Sequence, residues 1–323
     1  MTITRPAPSA DATAVRGAIS LVGAPVDRGA GTAGTLMGPA ALRTAGLPAL
    51  LTNLGYDVTD HGDMPTPTPV RPDMAEADAA RCRSLDEITA WTRAIHDRAY
   101  EVSAAGVPVF MGGDHSLSMG SISGIARRCA EEGRPLAVLW LDAHADYNTP
   151  ATSPSGNMHG MSVAYLCGDE SLAGLAGDRP RHPLAPETVH IFGVRQVDVE
   201  ERRRLEDHGV DVVDMRAIDE DGVPTLLRRV LASIPAGAHI HVSLDLDFVD
   251  PALAPGTGTV VPGGASYREA HLVMEMLHDD GRVGSADIVE LNPFLDERGR
   301  SARLAADLVA SLFGLTVLAR APR

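Results

Sequence analysis

Asp142, His144 and Asp146 occupy every second position in the stretch LDAHADYNTPATSPSGNMHG, residues 141–160. They close an apolar run, LAVLWLDA (136–143), that reads as a buried strand. Side chains at i, i+2 and i+4 of a strand share a face, so this spacing aims two carboxylates and an imidazole the same way. Asp245 and Asp247 repeat the pattern at the end of HIHVSLDLD (239–247), and His115 follows VPVFMGGD at the end of a third run. Ligands of open α/β sheets bind beyond the carboxyl ends of the strands. Three such ends meeting there would deliver four carboxylates and two imidazoles into one crevice. Four carboxylates cannot stay ionised side by side without neutralisation. Two divalent cations would offset the charge and form the paired clamp of two-metal hydrolases. Ligation rich in oxygen with some imidazole favours a hard ion, manganese before zinc. Singly, a paired Asp reads as a helix cap and a strand histidine as a core residue; the coincidence of three strand ends favours metal.

The elements that must hold these residues alternate along the chain. Strand-like runs occur at 18–25, 107–113, 136–143, 188–195, 210–215, 239–247 and 283–291. Helical patterns occur at 38–55, 83–106, 118–133, 266–281 and 301–314. The pattern at 83–106 starts with Ser84 and carries Glu87 three residues on, the signature of a capping box. Alternation with continuously apolar strands means a parallel sheet covered on both faces, an α/β fold. Residues 60–80 and 146–160 read as long irregular stretches. Residues 1–17 read as a disordered tail and 18–323 as one catalytic domain. No linker splits the chain.

Composition removes several functions. The net charge of −15 argues against nucleic acid and anionic membrane as partners. All basic residues are arginine, so there is no Schiff-base lysine and no Walker A lysine. Cys82, Cys129 and Cys167 lack disulfide or zinc spacing, and no segment is apolar enough to span a membrane; both point to the cytoplasm. GAGTAG (29–34) fits a dinucleotide fingerprint, but residues including Asp27 and Arg28 separate it from the strand and Pro39 sits at the helix entry. There is no G-x-S-x-G elbow for serine hydrolysis.

GGDHS (112–116), DAHAD (142–146) and SLDLDFVDPALAPGTGT (243–259) resemble the three signature blocks of the ureohydrolase superfamily, which includes arginases, agmatinases, guanidinobutyrases and formimidoylglutamases. The resemblance runs over nearly the whole chain. It implies a three-layer α/β/α fold with a parallel, mostly eight-stranded sheet and two Mn2+ per subunit. The implied metal ligands are His115, Asp142, His144, Asp146, Asp245 and Asp247, with Asp146 and Asp245 expected to bridge. The implied reaction is cleavage of a guanidinium group by hydroxide bridging the metals, with homotrimers or homohexamers as the assembly.

The segment NTPATSPSGNMHG (148–160) resembles the arginase version of the loop after the ligands. The resemblance implies that Asn148 and Ser155, with Ser153, bind the α-carboxylate of an amino-acid substrate, L-arginine, giving L-ornithine and urea. Convergent neutral donors suit that task. Asp198, with Glu201 behind it, is implied to meet the α-amino group. Glu290 is implied to hold the guanidinium, Thr259 to line the side-chain end, and His159 to shuttle protons. Asp146 is expected to pass a proton to the leaving amine. Two departures stand out: Tyr147 sits where an aliphatic residue is usual, suggesting a changed pocket wall, and Gln196 where Asp is common. Another ureohydrolase specificity, or a non-catalytic scaffold, are the alternatives.

Overall fold

The computed structural model describes residues 16–318. The expected tail, residues 1–17, lies outside the described residues except for Arg16 and Gly17. Eight strands form one sheet: β1 (Ala18–Ala24), β2 (Asp57–Asp63), β3 (Val107–Gly112), β4 (Leu136–Leu141), β5 (Val189–Val194), β6 (Asp211–Asp214), β7 (His239–Asp245) and β8 (Val283–Val289). Their order is β2-β1-β3-β8-β7-β4-β5-β6, and neighbouring strands pair in parallel.

The two faces of the sheet feed two separate cores. In β4, Leu139 and Leu141 join one apolar cluster while Val138 and Trp140 join the other. The same two-residue alternation divides Val109 and Met111 from Phe110 in β3. One face is covered by the helices Leu47–Asn53, Val223–Ser233, Tyr267–Asp280 and Arg300–Leu312. The other is covered by Leu85–Val102, Leu117–Glu131 and Ser162–Leu166. This is the expected three-layer α/β/α arrangement. Among the described residues no helix is long and apolar enough to cross a membrane.

Local departures from the sequence reading have local causes. The pattern at 38–55 is two helices, Gly38–Thr44 and Leu47–Asn53, parted where Gly46 turns left-handed (φ 92°) ahead of Pro48. Ser84 does precede the helix Leu85–Val102, but at φ 50° its side chain makes no capping bond, so the expected capping box is absent. A capping box does form at Ser266 and Glu269. β2 and the helices Val199–His208, Met215–Asp221 and Val223–Ser233 went unread. β2, DVTDHGD, is a largely exposed edge strand and carries no apolar period.

Candidate metal centre

β3, β8, β7, β4 and β5 are consecutive in the sheet, and the candidate residues lie beyond their carboxyl ends. Strand alternation does not extend to these residues. β4 stops at Leu141, so Asp142, His144 and Asp146 occupy a bend after the strand, and Asp146 is left-handed at φ 50°. Asp247 likewise lies on a 3-10 turn, Leu246–Phe248, beyond β7. The side chains converge because the chain turns over the sheet edge.

Two groups of ligand atoms form there. His115 Nδ1 lies 3.0 Å from Asp142 Oδ2, 3.1 Å from Asp245 Oδ2 and 3.2 Å from Asp146 Oδ2. His144 Nδ1 lies 3.0 Å from Asp247 Oδ2 and 3.4 Å from Asp142 Oδ1. Asp142 belongs to both groups. Asp142 reaches each imidazole with a different oxygen while Asp146 sits on the His115 side, so Asp142, rather than Asp146, is common to the two groups.

Backbone and indole donors fix these carboxylates. His144 N–H donates to Asp142 Oδ1 (2.7 Å), Trp140 Nε1–H to Asp142 Oδ2 (2.9 Å), Ala143 N–H to Asp247 Oδ1 (3.0 Å) and Asp247 N–H to Asp245 Oδ1 (2.8 Å). The Trp140 ring stacks on His115 at 3.9 Å between centroids. Burial, then the neighbouring Asp142 charge, pushes the Asp146 carboxyl up to about 8. Burial and neighbouring carboxylates also raise Asp245 and Asp247. Burial would raise Asp142 too, but bonds to His115 and His144 outweigh it and hold it low. Like charges are crowded together, and the buried His115 Nδ1 faces three carboxylate oxygens without a well-aligned hydrogen bond to any of them. This donor set fits two divalent cations.

Beside the first group stands Glu290, at the end of β8, buried and left-handed at φ 62°. Its Oε1 accepts from His115 N–H (2.9 Å) and faces His159 Nδ1 at 3.1 Å. Its Oε2 is buried without a partner, as a group held for a cationic ligand would be. Burial would lower the His159 imidazole, but the Glu290 bond and charge raise it to about 9.

The loop 148–160 returns to this centre at His159 and Gly160. Asn148 Nδ2 donates to Asp198 Oδ2 (3.1 Å) and Asn148 Oδ1 accepts from Thr152 (2.9 Å). Ser153 Oγ accepts from Gly156 N–H and Ser155 Oγ from Asn157 N–H, leaving each hydroxyl hydrogen to donate. Asp198 caps the helix Val199–His208. Glu201 is buried behind it and accepts from Asp198 N–H (3.2 Å) and Tyr147 N–H (2.8 Å). Thr259 donates to Asp247 Oδ2 at 3.3 Å. Tyr147 does not line a pocket wall: its ring is 1% exposed and its hydroxyl meets His208 Nδ1 at 2.7 Å. Gln196 Oε1 lies 3.3 Å from His144 Nε2, so it faces an imidazole of the centre. Two glycines of GAGTAG are explained by packing: Gly29 N–H donates to Asp114 Oδ2 (2.7 Å), and a Cβ at Gly29 or Gly34 would strike Asp114 or Asn292.

Comparison with known proteins agrees with this geometry. The model of the arginase family matches residues 17–314. The chain belongs to the arginase family. It is accordingly an enzyme of the amidinohydrolase class. It is 52% identical to an arginase of Agrobacterium fabrum over 93% of this chain and 92% of that one. The native arginase structure from Bacillus caldovelox superposes with a TM-score of 0.84 at 37% identity, covering 94% of this chain and all of that one. The proclavaminate amidino hydrolase of Streptomyces clavuligerus follows with a TM-score of 0.68 at 27% identity, covering 92% and 91%. The sequence reading had pointed to this family, but it missed Asp114 and the buried Ser243 and Asp287. Isolated polar residues within apolar strands gave no periodic signal.

Proposed function

We propose that this arginase-family chain hydrolyses the guanidinium group of L-arginine to L-ornithine and urea at a centre of two Mn2+. The observation that carries the reading is the pair of imidazole–carboxylate groups sharing Asp142, beside the unpartnered Glu290 Oε2. His115, Asp142, Asp146 and Asp245 would hold one ion, and Asp142, His144 and Asp247 the other. Two such ions, when bound, supply hydroxide near neutral pH and neutralise the carboxylates.

The protein's own side chains do the rest. Glu290 pairs with the guanidinium and orients its carbon. Asp146 would take the proton left on the oxygen that attacks the guanidinium carbon and pass it to the leaving amine as the C–N bond breaks. His159, joined to Glu290, exchanges protons with solvent. Asn148, Ser153 and Ser155 donate to the substrate carboxylate, and Asp198 accepts from its amino group. Glu201 keeps Asp198 and Tyr147 in place through their backbones, and Thr259 steadies Asp247 next to the substrate's side-chain end. Homotrimeric or homohexameric assembly belongs to the same reading.

A urea-release assay with Mn2+ and L-arginine, agmatine and guanidinobutyrate side by side tests it. The expected result is a kcat/KM highest for arginine. A preference for agmatine would remove the carboxylate-binding role of the loop, and no urea from any of them would favour a scaffold.

A further inference from the structure

Behind the metal centre, polar side chains buried within the sheet form a continuous line. On β7, His239, His241 and Ser243 are alternate residues and so share a face. The strand register sets His241 opposite Ser285 and Ser243 opposite Asp287 on β8. The helix Leu117–Glu131 closes over them with Ser118 and Ser121. His115, Ser243, Asp287, His241 and Ser285 are all fully buried.

The hydrogen bonds have a direction, set by Asp287. Oδ1 accepts from Ser243 (2.5 Å), and Oδ2 accepts from Ser121 (2.7 Å) and Ser118 (3.0 Å) and faces His241 Nε2 at 3.1 Å. A carboxylate surrounded by donors is acceptor-only. Ser243 gives its single proton to Asp287, so the Ser243 oxygen, 2.8 Å from His115 Nε2, accepts from that nitrogen. Nε2 then carries hydrogen, and the bare lone pair of His115 is Nδ1, which faces Asp142, Asp146 and Asp245. The second arm obeys the same rule: His241 donates to Asp287, Ser285 donates to His241 Nδ1 (2.8 Å), and His239 Nε2 donates to Ser285 (2.7 Å).

We infer that Asp287, acting through Ser243, is a positioning residue that fixes the tautomer and orientation of His115 for a cation. The inference rests on the metal reading above. An outer-shell acceptor of this kind usually affects metal affinity by about 10–100-fold. Asp287→Asn makes a sharp case. Three donors converge on Oδ2, so the Asn oxygen settles there and its NH2 faces Ser243. Ser243 must then accept from Asn and donate to His115 Nε2, which pushes hydrogen onto Nδ1 against the cation.

The test is calorimetric titration of Mn2+ into the metal-free protein, with electron paramagnetic resonance to detect a spin-coupled pair of ions. Wild type should bind two ions. Asp287→Asn should keep one and weaken the other by about 10–100-fold, with loss of the coupled signal. Ser243→Ala should do the same and carries the test if Asp287→Asn does not fold. His241→Asn breaks only the second arm and should leave both ions in place whatever it costs in stability. Two ions at wild-type affinity in both Asp287→Asn and Ser243→Ala would overturn the inference. Equal weakening in His241→Asn would reduce it to general packing. A wild type that binds no ion would instead remove the metal reading.

Discussion

The candidate site has two halves built on opposite principles. Around His115 the polar atoms are buried, His144 is part-exposed, and the carboxylates of Asp142, Asp245 and Asp247 take bonds from backbone or indole donors. Across the mouth, the loop residues Ser153 and Ser155 and the cap Asp198 are part-exposed or exposed. Asp198 accepts from Asn148 Nδ2, and Ser153 and Ser155 accept from the local backbone N–H groups of Gly156 and Asn157. The first half is preorganised: its repulsion between carboxylates is tolerated because strand ends and a stacked indole leave no other position. The second half is held by short turn bonds and by Arg81 and Arg83, which reach Ala151 O, Asn157 Oδ1 and Gly156 O. On the proposed reading, chemistry is placed in the rigid half, and the choice of substrate in the half that can change residue by residue.

The largest effect should come from Asp142, the residue common to both ligand groups. Asp142→Asn keeps the volume and removes the charge that both imidazole groups share. We expect a loss of kcat of at least about 10³-fold and loss of both ions in Mn2+ titration. Retention of two ions would show that the halves are not divided as described. On the other side, Ser155→Ala should leave metal stoichiometry and kcat near wild type. It should raise KM for arginine by about 10-fold, the worth of one hydrogen bond to a charged group, with little change for agmatine. A fall in kcat as large as the rise in KM would mean that the loop also takes part in the chemistry.

The rigid half was also the legible one, though for a partly wrong reason. The types and spacing of Asp142, His144, Asp146, Asp245 and Asp247 foretold convergence at the sheet edge. The stated cause, strand alternation, applies only up to Leu141 and Asp245; beyond them the backbone bends and even goes left-handed at Asp146. Seven strands carried an apolar signal, whereas β2 did not, because an exposed edge strand buries neither face. Asp287 and Ser243 were illegible because their meaning lies in a cross-strand register that no single segment encodes. Tyr147 was misplaced for a similar reason: its hydroxyl partner, His208, lies on a helix the apolar pattern did not reveal.

The smallest effect tests how strain is distributed between the halves. The described non-glycine residues with positive φ are Ser84, Asp146, Glu290 and Arg298. Asp146 and Glu290 belong to the rigid half, where surrounding bonds overdetermine the backbone. The loop uses Gly156 (φ 71°) for the same conformation without the steric cost. Ser84 lies next to Arg83, which braces that loop, and gains no capping bond for its left-handed conformation. A left-handed L-residue costs about 1–2 kcal/mol, and glycine returns roughly half of that as unfolded-chain entropy. Ser84→Gly should therefore raise Tm by about 1–2 °C in calorimetry, with arginine KM and Mn2+ stoichiometry unchanged. A lower Tm with a raised KM would mean that the Ser84 backbone is held in place by the loop's bracing and that the strain serves substrate binding, which would move this segment into the functional half.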